Sequence, residues 1–366
     1  MKRMFCLVLV LILVLLQVGS AMAFTGPSDI STEMIQTEIL EKAEQVLEYI
    51  EPSKELYGLH DVDFDSLRMG AQIYSYDVSG GTAVPTENQY YPLLDRQGNV
   101  IGLFIAYEVD GMTCVDFVSQ YAEEIDMVAD TSNVCLVYDG PNIFLKSENE
   151  LTCLYQIVDQ EPNDDSLIWN LPELSMSEIK SAAAFNLDSN DGIDMCADGT
   201  GGDVLLSVGK HTQLNDYTCW ASAIWSIGTY LNKTVSMTPR EVAIAYGGSE
   251  KSWALMADSV SYLNLIYGTG YVYKNQNLTL AKVKASIDAN YPVAAGVTWT
   301  GNNVVTAGHE FVICGYSTES TIYTMMDPAT GKYRTGSATY NKLNYSSMKT
   351  GGIYTISEYG INSSVA

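Results

Sequence analysis

Between residues 159 and 203 the chain stops reading as packed structure. "DQEPNDDS" and "LDSNDGIDMCADGTGGD" are dense in Asp, Asn and Gly, with a weakly helical stretch between them. Such segments bury little apolar surface and are exposed, mobile and open to proteolysis. The sequence on either side must then supply its own core, and 366 residues suffice for two domains. The predicted organisation is an N-terminal segment 1–23, an acidic unit 24–160, a linker 161–203 and a second unit 204–366. No repeat of solenoid or propeller period runs through it. "DSNDGID" is a poor calcium loop, because Gly192 falls one position too early.

Charge divides at the same place. Residues 24–200 hold 34 of the 44 acidic residues and 6 of the 19 basic ones, whereas residues 201–366 hold 10 acidic and 11 basic. So sharp a shift implies two units with different tasks. Neither unit is basic enough to attract nucleic acid. At the N-terminus, Lys2 and Arg3 precede "LVLVLILVLLQV" and "SAMAF" follows. This is the order of a secretory signal cleaved after Ala23. The expectation is a secreted, extracellular protein with no membrane association after cleavage.

Both units read as α+β. "SDISTEMIQTEILEKAEQVLEYI" places Ile35, Ile39, Ala43, Val46, Leu47 and Ile50 at helical spacing, with Asp29 or Ser31 as cap. "YYPLLDRQGNVIGLFIAYEV" predicts a hairpin turning at Asp95–Asn99, and "NVCLVYD", "NIFLKS" and "LTCLYQIV" read as further strands. In the second unit, "CWASAIWSIGTYL" reads as a buried helix starting at Cys219. "TPREVAIAYG" is a helix with Thr238 as cap, Pro239 in its first turn, Glu241 completing a capping box and Gly247 at its end. Residues 252–265 and 279–290 also read as helical. Strands follow in "YPVAAGVTW", "GHEFVICGY", "TIYTMMD" and "GGIYTIS". Helices first and antiparallel strands afterwards give a second α+β unit.

Of seven cysteines, Cys6 lies in the signal. None forms a CxxC zinc pair. Cys114, Cys135 and Cys153 sit in strand-like runs and read as buried thiols, with a Cys135–Cys153 bridge left open. The three histidines, His60, His211 and His309, are too few for a His-rich metal site.

Against this background "QLNDYTCWAS" requires an explanation. A thiol attacks well only as thiolate, so it needs a lowered pKa or a nearby base. A helix start favours negative charge at Cys219. His309 opens a strand and can hold the proton. Asp327, after the next strand, can accept from the second ring nitrogen and fix the tautomer. A tetrahedral oxyanion needs fixed donors. The Cys219 N–H is one, and the Gln213 side-chain amide is the second. Taken singly, a core cysteine, a strand histidine and an Asp-Pro turn are ordinary; their joint order is not. Glu310 should point away from His309, as a solvated or paired carboxylate. Cys314 shares that parity as a buried thiol, and Trp299 either walls a cleft or packs in the core.

Gln213…Cys219-Trp220-Ala221, then Gly308-His309, then Asp327-Pro328, resembles the papain-like cysteine peptidases. The "GHEFVICGY…YTMMDP" passage is most similar to the staphopain-like and bacteriocin-leader-processing branches. The resemblance covers about residues 205–356. It implies a two-lobed catalytic domain with Cys219 as nucleophile, His309 as base, Asp327 as orienting residue and Gln213 as oxyanion donor. Papain itself has Asn where this chain has Asp327. It also implies protein or peptide substrates, no cofactor, and an N-terminal prodomain that blocks the cleft until removed. The prodomain's carboxylates add the expectation that acidification weakens its hold. Three other readings stay open. One is a transglutaminase-like Cys-His-Asp acyltransferase, which would incorporate amines. Another is a transporter-linked leader peptidase, which would need membrane spans. The last is a non-catalytic interaction module, whose Cys219 would react like a model thiol.

Overall fold

The protein is described by a computed structural model covering residues 29–155, 165–180, 183–184, 204–232, 237–299 and 307–366, apart from residues 129, 131, 141, 149 and 318. The signal-like N-terminal segment, the loose calcium-loop motif and most of the predicted linker, residues 161–203, lie outside the described residues. Met1–Glu38 and Ile39–Ala366 separate as two units, and every described strand belongs to the second.

Helix α1 (Asp29–Ile50) buries Ile39, Ala43, Val46, Leu47 and Ile50, the apolar stripe that its periodicity predicts. Strands β1 (Gln89–Leu94), β2 (Val100–Val109) and β3 (Met112–Val118) form an antiparallel meander. The predicted turn joins β1 to β2. Asp95 Oδ1 accepts the N–H groups of Gln97 and Asn99, each at 2.8 Å. Gly98 takes φ 89°, which a side chain would strain. A second meander comprises β4 (Asn133–Asp139), β5 (Asn142–Ser147) and β6 (Glu150–Tyr155).

The second half begins with a two-residue strand, Val204–Leu205, paired to Tyr316 and Gly315, followed by α2 (Cys219–Leu231), α3 (Pro239–Gly247) and α4 (Met256–Tyr267). The capping box of α3 is present: Glu241 Oε2 accepts from the Thr238 N–H at 2.7 Å and Thr238 Oγ1 accepts from the Glu241 N–H at 3.3 Å. The left-handed residue that stops α3 is Gly248, one place beyond Gly247. Then come β7 (Tyr271–Asn275), α5 (Leu280–Asp288), β8 (Val293–Trp299), β9 (Ala307–Ser317), β10 (Ile322–Asp327), β11 (Lys332–Thr339), β12 (Lys342–Ser346), β13 (Ile353–Thr355) and β14 (Glu358–Asn362). They form an antiparallel sheet in the order β7-β14-β8-β9-β10-β11-β12-β13. Helix α2 packs across β9. The fold class is α+β, as its element order predicts.

Strands β10 and β11 lack the alternation of a half-exposed sheet; from Tyr333 to Thr339 every residue is buried. The second cover is the acidic half. Tyr57 packs its ring edge-on against both Phe117 and Tyr333. The polar groups on this side of the sheet also find partners there. Thr335 Oγ1 accepts the Phe117 N–H at 2.6 Å, and Thr324 Oγ1 bonds Tyr49 and Tyr57, each at 2.7 Å. Ser337 and Ser346 donate to the two oxygens of buried Asp116, at 2.6 and 2.5 Å. The described parts of both halves thus share one apolar core.

No disulfide joins Cys114, Cys135, Cys153, Cys219 or Cys314. Cys153 is exposed rather than buried, because it lies on β6, which among the described residues is an edge strand. Among the described residues, no helix is long and apolar enough to cross a membrane.

Candidate active site

The loop before α2 is pinned from within. Thr218 is fully buried, and its Oγ1 accepts the N–H groups of Leu214 and Asn215, at 3.1 and 3.3 Å. Asn215 Nδ2 donates to the Glu250 carbonyl at 2.8 Å, and Trp220 Nε1 to that of Ser252 at 2.9 Å. These bonds fix Cys219 as the first residue of the helix, where backbone N–H groups are unpaired and the dipole favours an anion.

Strand register brings the other two groups together. Val312 of β9 faces Met326 of β10, so Asp327 comes level with Phe311, and His309 lies two residues along on the same face. His309 Nε2 donates to Asp327 Oδ1 at 2.7 Å, with both residues buried. That leaves Nδ1 for the Cys219 side. Trp299, at the end of β8, stacks on the imidazole with centroids 5.8 Å apart and rings 17° from parallel, so it walls the site. Asp327 is itself held: Oδ1 accepts the Ala329 N–H at 3.0 Å and Oδ2 accepts the Tyr345 hydroxyl at 2.9 Å. Arg334 Nη1 lies 3.6 Å from Oδ2, buried over the Tyr345 ring.

The electrostatics follow from these contacts. Burial pushes the Cys219 thiol up, but the hydrogen bond and charge of His309, with the Glu310 and Trp220 N–H groups, outweigh it and bring the thiol below its ordinary value. Burial alone would lower His309; the Asp327 charge and hydrogen bond, with Cys219, raise it to about 9. Burial likewise opposes ionisation of Asp327, yet His309 and then Arg334 hold its carboxyl below the usual range. A thiol below its ordinary value beside a histidine above its own is the charge distribution of a thiolate–imidazolium pair.

Gln213 reaches the same place. Its N–H donates to the Pro328 carbonyl at 2.7 Å, which ties it to the turn after Asp327. It lines a cavity with His309 and Trp299, and its buried Oε1 has no partner among the described residues. All four candidate residues converge on one locus.

Other expectations fared differently. Glu310 does point away from the imidazole, but it is not solvated. It is buried and accepts from Ser259 Oγ at 2.7 Å, because α4 covers that face of the strand. Cys314 is fully buried, and burial raises its thiol. His211 packs on Trp225, and His60 is exposed.

Several residues at the site escape a sequence reading: Arg334, Tyr345, Lys349 and Asp216 from the second half, and Tyr121 and Tyr155 from the acidic half. Tyr121 lines the cavity, held in the left-handed region at φ 60°. Tyr155 donates its hydroxyl to the Asp216 carboxylate and accepts from Lys349 Nζ at 2.7 Å. Only the odd backbone conformation of an aromatic residue marks Tyr121, and that is invisible in sequence.

No curated protein matches the chain. Residues 205–345, which contain Gln213, Cys219, His309 and Asp327, match the family described as papain-like cysteine protease AvrRpt2, and this similarity supports cysteine peptidase activity and protein or peptide substrates.

Proposed function

We propose that the chain is a secreted cysteine endopeptidase made as a zymogen. The observation that carries this reading is the buried His309–Asp327 hydrogen bond, with Cys219 at a helix start and its thiol lowered by His309, within the papain-like stretch. The Cys219 thiolate attacks the scissile carbonyl carbon. The resulting oxyanion takes hydrogen bonds from the Cys219 N–H and the Gln213 amide. The His309 imidazolium then protonates the departing amine as the C–N bond breaks, leaving a thioester. Water, deprotonated by His309, attacks that thioester; the carboxylate product leaves and the thiolate returns. Asp327 keeps the ring oriented and favours its charged form. We assign this chemistry to a two-lobed papain-like domain, similar to the staphopain-like and leader-processing branches.

The acidic half, residues 24–160, acts as the prodomain and residues 161–203 as the segment whose cleavage frees it. Two features support this. Tyr121 and Tyr155 reach the cavity beside His309. The second half also meets the acidic half through the hydroxyls of Thr324, Thr335, Ser337 and Ser346, which water can solvate after separation. The same contact also includes apolar groups, since the described parts of both halves share one core. Secretion rests on the signal-like N-terminus.

The test is hydrolysis of a denatured, fluorophore-labelled protein by the reduced, processed chain beside Cys219→Ala. Loss of all turnover in the variant is expected. Equal turnover would remove Cys219 from the chemistry, and incorporation of a labelled primary amine in place of hydrolysis would favour acyl transfer.

A further inference from the structure

The contact between Tyr155 and the second half has a chemistry of its own. Tyr155 ends β6, and its phenol meets two opposite charges. The hydroxyl donates to Asp216 and accepts from Lys349 Nζ at 2.7 Å, while that ammonium lies 4.6 Å from the Tyr155 ring centroid. Lys349 Nζ is also 3.4 Å from Asp216 Oδ1 and 5.3 Å from the Trp299 ring centroid. Asp216 stands three residues before Cys219, and Trp299 stacks on His309. The phenol therefore sits in a socket contiguous with the reactive pair, in the cavity that Gln213 lines.

A generic latch needs only bulk or charge. This socket offers an acceptor, a donor and a cation over an aromatic face, which together match one side chain, a tyrosine. Asp216, Lys349 and Trp299 belong to the second half and stay behind when the acidic half leaves. A phenylalanine in the same place would occupy the wall and leave both charges without the hydroxyl, which selects against it.

We propose that Asp216, Lys349 and Trp299 form a tyrosine-selective substrate subsite, which Tyr155 fills as an internal substrate mimic in the full-length chain. The assignment rests on the peptidase reading for the word substrate, but the selectivity is a property of the socket itself.

The experiment uses the full chain carrying Tyr155→Ala, which empties the socket. Binding of N-acetyl-L-tyrosinamide and of N-acetyl-L-phenylalaninamide is followed by ligand-observed NMR. Tyrosinamide should bind at least about tenfold more tightly. Adding Asp216→Asn with Lys349→Met should erase the difference. Equal affinities, or no tyrosinamide binding, overturn the proposal. Tyr155→Phe serves if the alanine variant does not fold. It removes only the hydroxyl and should speed alkylation of Cys219 by iodoacetamide about tenfold; an unchanged rate overturns the proposal. Binding needs no turnover, so the two readings fail separately. Tyrosine selectivity without any peptide hydrolysis sinks the peptidase, whereas hydrolysis indifferent to tyrosine or phenylalanine sinks the subsite.

Discussion

His309 and Asp327 face each other across neighbouring antiparallel strands, Nε2 to Oδ1 at 2.7 Å, with both residues buried. The carboxylate raises the imidazole to about 9 against the opposing effect of burial. Asp327→Asn keeps an acceptor for the ring and removes the charge. His309 should then titrate nearer the ordinary histidine value of about 6.5. We expect kcat/KM to fall roughly tenfold to hundredfold. The alkaline limb of its pH profile should move down from about 9, because the group that protonates the leaving amine is lost earlier. A pH–rate profile of both proteins checks this; an unmoved limb would mean that Asp327 does not set the His309 charge.

Cys219 reactivity should report the same pair from the other side. With His309 present, the thiol is below its ordinary value, so iodoacetamide should alkylate Cys219 rapidly at pH values where a model thiol is protonated. In His309→Ala, burial is left as the leading influence and the reactive range should shift upward. Peptide mapping of the labelled cysteine across pH makes the comparison. Identical profiles would separate the two residues chemically.

Gln213 lines the cavity beside His309, and its buried Oε1 has no partner among the described residues. Gln213→Ala should lower kcat by about 10²–10³ with KM little changed, the effect of removing one oxyanion donor. Thermal stability should stay within about a degree or two, since Oε1 has no partner to lose among the described residues. A change confined to KM would make Gln213 a substrate contact only.

The carboxylate at the interface of the two halves runs against acid release. Asp116 is buried facing Ser337, Ser346, Tyr107, Tyr323 and Arg334, and burial outweighs Arg334 and the hydroxyls in raising its pKa. A raised value in the docked state means that docking binds a proton more tightly than the freed, solvated carboxyl does. Through this group, then, the hold strengthens as pH falls toward the ordinary carboxylate range and weakens as pH rises above it. Asn mimics the protonated form. In a Cys219→Ala background, Asp116→Asn should therefore raise Tm relative to Asp116 by a few degrees more at about pH 7.5 than at about pH 4.5. A substitution costlier at the higher pH would make the Asp116–Arg334 attraction dominant.

What a local stretch of this chain reveals depends on chemistry and topology. Cys219, His309 and Asp327 are legible because few thiols and imidazoles exist to choose from, and because a helix start and two strand ends carry their own punctuation. Helix α1, the Asp95 turn and the α3 capping box are legible for the same local reason. Strands β11 and β12 are not. "KYRTGSAT" and "KLNYS" alternate weakly, since Arg334, Thr335, Ser337 and Asn344 are buried beneath the rest of the chain rather than facing water. Lys349, Asp216 and Tyr155 have no pattern at all. Their meaning comes from a contact between residues 194 positions apart, which no local spacing encodes. Cys153 reads wrongly as buried because a strand-like run does not reveal whether it lies at a sheet edge.

The most direct measurement is the intact mass of the purified full-length chain over time in reductant, beside Cys219→Ala, with a denatured protein substrate present. The wild type is expected to shed its acidic half and degrade the substrate, while Cys219→Ala does neither. Unchanged masses and an untouched substrate in both, or equal loss in both, would contradict a Cys219-dependent peptidase held inactive by its own N-terminal half.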